Sequence, residues 1–241
     1  MFETVKGLGM SKWFIVAFLF AWMLLPVAAA EPTADDYLIT AVAQGNADAV
    51  ARHLDDPDTV SRELNPECPP GTRCKPITYA AEQSDPTILR MLLEAGADPN
   101  GTNSVGDNGL IMAIMSGNTR GVDMLLAFGA DVNQANRFGI SALIGATMMG
   151  DSVLLEKLLS NGGDPNTRAQ PSGGDANQSV AGRPLLCIAA EGGYVDAVGV
   201  LIRQGAALDA PSGVGETTAD CIEATGSTEM LSLLGKTPGN H

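Results

Sequence analysis

Few side chains in this 241-residue chain could carry out chemistry: four cysteines and two histidines stand among 28 carboxylates. A serine nucleophile needs a base within hydrogen-bond reach, and the bases on offer are His53 and His241. His241 is the last residue, tethered at one end only. His53 falls on an amphipathic segment, where a histidine is ordinarily a surface residue. No Gly-x-Ser-x-Gly elbow occurs. Cys68, Cys74 and His53 would make three zinc ligands, but five residues separate the two cysteines, more than the two to four of ordinary zinc pairs. "GADPNGTNSVGDNG", 96–109, has the glycines of a phosphate loop but no lysine. No catalytic residue, cofactor or metal site is expected, and the chain does not read as an enzyme.

The N-terminus reads as an export signal. Lys6 and Lys12 precede the apolar run "WFIVAFLFAWMLL", 13–25, then Pro26 and "VAAAEP". Such a run spans about 20 Å as a helix, short of a hydrocarbon core of about 30 Å. It fits a cleaved signal of residues 1–30, with Ala28 and Ala30 as the small pair before the cut, better than a membrane anchor. Met10 is an alternative start. The expected location is periplasmic or secreted, with no stable membrane insertion once the signal is removed. Residues 1–30 hold one acid (Glu3) and two bases (Lys6 and Lys12), so the remaining chain carries −15 where the full chain carries −14. That charge disfavours nucleic acid and anionic lipid. In an exported chain, "CPPGTRC" favours a Cys68–Cys74 disulfide closing a tight loop. Cys187 and Cys221, farther apart within helical patterns, are expected to be small buried residues rather than a second bridge.

The elements that would position any of these residues follow from a repeat. "LLEAGADPN", 92–100, returns as "LLAFGADVN", 125–133, and "LLSNGGDPN", 158–166, in steps of 33. In each copy the apolar pair closes an amphipathic helix, and the glycine suits the left-handed position after a helix end. The following Asp and Asn set a turn. Gly205 ends a fourth helix in the same way, and twelve residues before Gly129, Gly162 and Gly205 lie Gly117, Gly150 and Gly193, each dividing two short helical stretches. Each unit therefore reads as helix, turn, helix and a projecting β-turn. One such unit cannot bury both helices, so neighbours must stack.

On these residues the chain resembles the ankyrin-repeat family. The segment nearest the family pattern is "KPITYAAEQSDPTILRMLLEAGADPN", 75–100; further units fall at 108–133, 141–166 and 184–209, with degenerate ends at about 36–67 and 217–234. The resemblance implies an all-α solenoid of about six units over 31–235, carrying β-turn fingers, with a flexible tail at 236–241. The chain departs from the family pattern in lacking the Thr-Pro-Leu-His segment intact in any unit and in having Ser84 for one inter-helix glycine. Two spacings are long: one holds Cys68–Cys74, the other "RAQPSGGDANQS", 168–179. Insertions of this kind map to loops.

The resemblance also implies a protein-binding module that uses its concave face of finger tips and first helices. Its variable positions fall here on Glu82 and Gln83; on Ser104, Val105, Asp107, Met115 and Ser116; on Arg137, Phe138, Ile140, Met148 and Met149; and on Val180, Ala181, Arg183, Glu191 and Gly192. Apolar residues replace polar ones at Phe138, Ile140, Met148 and Met149, with Met115 beside them and Arg137 at the edge. That composition fits an interface core. The methionines could instead turn inward and fill the core. The expected activity is to hold, protect or inhibit a partner enzyme in the bacterial periplasm, as a monomer. The alternatives are a passive envelope scaffold and a secreted effector acting on a host protein.

Overall fold

The apolar pattern forces short helices to lie side by side, and the computed structural model shows how they stack. It describes residues 37–67, 75–169, 182–212 and 216–235. The signal segment, the Cys68–Cys74 loop, Val180, Ala181, most of the 168–179 stretch, the 236–241 tail and His241 lie outside the described residues. Of the unit Met1–Tyr37 only Tyr37 is described; Leu38–His241 is the other unit, and it holds every helix named here.

There are thirteen described helices. The first pair is α1 (Leu38–Ala43) and α2 (Ala47–Leu54), followed by an extra helix α3 (Pro57–Glu63). Five more pairs follow: α4 (Pro76–Glu82) with α5 (Thr87–Glu94), α6 (Gly109–Met115) with α7 (Thr119–Ala127), α8 (Ala142–Met148) with α9 (Ser152–Ser160), α10 (Leu185–Glu191) with α11 (Val195–Arg203), and α12 (Thr218–Ala224) with α13 (Thr228–Leu233). The first helices α1, α4, α6, α8, α10 and α12 pack on one another in that order, and second helices lie behind them. This is the expected all-α solenoid of six helix pairs. Its core runs the length of the stack through residues such as Leu38, Ile77, Leu92, Leu110, Leu125, Leu143, Leu158 and Leu185, none of them exposed to solvent. Among the described residues no helix is long and apolar enough to cross a membrane.

The repeated glycine does what its position demands. Gly129, after α7, takes φ +82°, and its equivalents Gly96, Gly162 and Gly205 take +94°, +91° and +89°. A side chain there would strain the backbone.

The Asp and Asn of the marker do more than shape a turn. Asp98, Asp131 and Asp164 each accept a hydrogen bond from the backbone N–H of the Asn two residues on, at 2.8–2.9 Å. That Asn then reaches into the next unit. Asn100 Oδ1 accepts from Asp131 N, Asn133 Oδ1 from Asp164 N, and Asn166 Oδ1 from Ala207 N. Asn65, just after α3, begins the series by accepting from Asp98 N. A polar ladder therefore joins the second-helix ends of successive units.

Where the family pattern is missing, other side chains fill in. Asn108 and Ser141 cap α6 and α8 by accepting from Ile111 N and Ile144 N. Ser84 stands for a glycine, and the turn it leaves is tied down by the next unit. Asn118, 7% exposed, donates to the carbonyls of Ala81 and Gln83 and accepts from Gly121 N.

One expectation is corrected. Cys187 and Cys221 are buried, but they also form a disulfide, with their Cα atoms 5.3 Å apart. They stand on the adjacent first helices α10 and α12. A separation of 34 residues is about one repeat, so stacking brings together positions that look distant along the chain.

Three outcomes follow from this frame. Asn118→Ala orphans the two carbonyls it serves and should cost about 2–4 kcal/mol in urea unfolding. Replacing both Cys187 and Cys221 by Ser opens a closed loop of about 34 residues and should cost about 4 kcal/mol in the chain-entropy account, with loss of order concentrated in α12 and α13. The Thr59 hydroxyl holds the Asp56 carboxyl below its ordinary value of 3.8, and the Thr87 hydroxyl does the same for Asp85. Their contribution is present above pH 3.8 and is lost as pH falls through the lowered values. Carboxyl NMR titration should give both midpoints below 3.8.

Candidate interaction face

The candidate face is built from the fingers and first helices, and its geometry starts with two asparagines. In the finger before α6, Asn103 Oδ1 accepts from the backbone N–H groups of Val105 and Asp107, each at 3.0 Å. In the finger before α8, Asn136 Oδ1 accepts from Phe138 N and Ile140 N at 2.9 Å. Each asparagine folds its own finger. The fingers are then joined: Arg137 N donates to Val105 O at 3.0 Å, and Asn136 Nδ2 donates to Asp107 Oδ1 at 2.7 Å. Gly106 lies so close beneath the next finger that a Cβ there would meet Arg137 N at 2.9 Å.

This places the residues picked from the sequence in different situations. Asp107 is half-buried and its carboxylate is engaged by Asn136 and by Asn103 Nδ2, so it acts as a staple between fingers. Val105 is half-buried and offers its carbonyl to the same junction. Ile140 is half-buried and packs on the core. Arg137 and Phe138 project from the joined fingers; both are exposed, Phe138 by 55%. Ser104 is buried.

The methionines stand at the other end of the first helices. Met115 ends α6 and Met148 ends α8, so the two occupy equivalent positions in neighbouring units. Met115 is 65% exposed and Met148 43%. Met149, 52% exposed, borders a shallow groove with Val153, Leu154 and Ile114. The seven residues of α8 separate Phe138 from Met148 by about 10 Å along the helix axis. The structure therefore offers a fingertip spot, Arg137 and Phe138, and a turn-end spot, Met115, Met148 and Met149. Acidic residues occupy the equivalent helix ends on either side, Glu82 of α4 and Glu191 of α10. Glu191 pairs with Arg183, and Gln83 donates to the Val42 carbonyl, tying α4 to the unit before it.

Tyr194 is a residue that sequence reasoning passed over. Its hydroxyl donates to Met148 O at 3.0 Å, and its ring occupies the space a Cβ on Gly150 or Gly192 would need. It thereby closes the seam between two units beside the methionines. The signal was present: Tyr194 follows an inter-helix glycine, where other units place the capping residues Asn46, Asn118, Asp151 and Ser227. Among the described residues no cluster of three or more His, Cys, Asp or Glu is placed to hold a metal ion.

Comparison with known proteins agrees with this geometry. A family model described as ankyrin repeats in three copies matches residues 77–169. Among solved structures, the crystal structure of an ankyrin repeat domain from Acinetobacter baumannii AYE is similar to this one. Its sequence is 24% identical, the match covers 82% of this chain and 95% of that one, and the TM-score is 0.69. No curated protein matches. The family match over residues 77–169 and the shared fold lead to one conclusion: the central units carry ankyrin repeats, and the stack has the fold of an ankyrin repeat domain.

Proposed function

We propose that this protein binds another protein through the finger and first-helix face of its central units, and that the partner is an enzyme it holds, protects or inhibits. Ankyrin repeats are in general protein-interaction modules, and that much comes with the family. The observation that carries the finer reading is the placement of large apolar side chains in water. Met115, Phe138, Met148 and Met149 are each at least 43% exposed. All four belong to the two central units, and Arg137 sits next to Phe138. Leaving such side chains in water forgoes their burial, at about 1.5–3 kcal/mol for a fully buried one. Aromatics, Met and Arg are the residues enriched where interfaces bury most deeply.

Export to the periplasm or beyond is part of the proposal and rests on the N-terminal basic and apolar run alone. A passive scaffold would use the same face but would change no partner's activity.

The test is affinity capture on the full chain, followed by calorimetry with the captured partner. Phe138→Ala and Arg137→Ala should each weaken the complex by about 2 kcal/mol, roughly 30-fold, if each is an anchor. Phe128→Ala, at the end of the second helix α7, should leave affinity unchanged. A partner bound equally well by both finger variants would remove the proposed face.

A further inference from the structure

We propose that Cys221 is a thiol-exchange site, selective for neutral or cationic small thiols, and that exchange there loosens the last helix pair. The two cysteines of the Cys187–Cys221 disulfide are not equivalently placed. Cys187 is wholly enclosed, whereas Cys221 retains 6% exposure and lines an open cleft of about 480 Å³ between the last two units. Cys187 does not line it. Thiol–disulfide exchange requires a thiolate to reach the sulfur it attacks. Access through the cleft therefore directs attack to Cys221.

The cleft also sets which thiols enter. Its wall carries the carboxylates Glu191 and Glu216 against the single guanidinium Arg183, which is already paired with Glu191. The surplus is negative, so an anionic thiol is repelled and a cationic one is drawn in.

The step balances with a dithiol as reductant. Its first thiolate bonds to Cys221 Sγ, the Sγ–Sγ bond breaks, and its electron pair leaves on Cys187 Sγ, which takes up a proton. The second thiolate then attacks the reagent's own sulfur in the mixed disulfide and releases Cys221 as a thiolate. Two electrons pass from the dithiol, which becomes a disulfide, to the protein, which gains two thiols.

The consequence follows from where the bridge sits, at the last helix pair, whose buried set is small although Thr218 N and Ala219 N also donate to the carbonyls of Ala210 and Leu208. Its buried residues are Thr218, Cys221 and Ile222 on α12 and Met230 on α13. Besides the main chain, the disulfide is the one covalent cross-link among the described residues between that pair and the unit before it. Because it cross-links α10 to α12, its loss releases the far end of the stack first. Neither the partner-binding reading nor export is needed for this inference.

The full chain is treated under native conditions with cysteamine, a cationic monothiol, and separately with glutathione, an anionic one. The reaction is quenched with acid, and adducts are mapped cysteine by cysteine. Adducts should form on Cys221 in about tenfold or greater excess over Cys187, and faster with cysteamine at low salt. After complete reduction by dithiothreitol, amide hydrogen exchange should rise in 217–234 and stay unchanged in 109–160. Adducts mainly on Cys187, reduction only in denaturant, or unchanged exchange after reduction would overturn the site. Glutathione matching cysteamine at low salt would overturn its selectivity.

Discussion

The described units depend on side-by-side stacking of helices too short to stand alone. Each described helix has six to nine residues, below the dozen or more an isolated helix needs in water. Each therefore exists because its apolar face is covered by the units before and behind it. Stacking buries Leu92, Leu125 and Leu158 in one register but leaves helix ends and turns with polar groups to satisfy. The asparagine ladder from Asn65 to Asn166 meets that need across unit boundaries, and Asn118 meets it at the one turn within a described helix pair that lacks glycine. The apolar and polar contacts thus point the same way, and each unit completes its neighbour.

That constraint decides which side chains are available for anything else. Asp107 is charged and close to the surface, yet it is occupied in joining fingers. Asn103 and Asn136 are occupied in folding them. Arg137 and Phe138 sit on a scaffold fixed by their own backbone hydrogen bonds, and their side chains project from it. The same holds at the opposite end of the first helices, where Tyr194 closes the seam and Met148 and Met149 stay largely exposed beside it. A rigid frame that presents a few apolar side chains loses little freedom when a partner covers them.

Much of the frame was legible in the sequence because a physical need repeats every 33 residues, and the same residue types answer it each time. The glycines after α5, α7, α9 and α11 were readable in this way. The reach of Asn100 into the next unit was not, because a turn asparagine looks the same whether it bonds within its turn or beyond it. Asn103 and Asn136 also recur at 33 and could have been found, but they lie between the helical stretches that drew attention. The Cys187–Cys221 bridge was misread because distance along the chain was weighed instead of distance modulo the repeat. At the candidate face, the sequence separated repeated from variable positions. It could not tell that Asp107 and Ile140 are partly consumed by the frame, or that the fingertip and turn-end residues stand a helix length apart.

The central claim is that repeated residues build the frame and that function lies in the central units' exposed finger and first-helix side chains. A photo-reactive amino acid placed at position 138, and in a second protein at position 128 on the opposite layer, tests it most directly. Illumination in the presence of the natural partner should cross-link that partner at 138 and not at 128. Cross-linking at 128 with none at 138 would contradict the account.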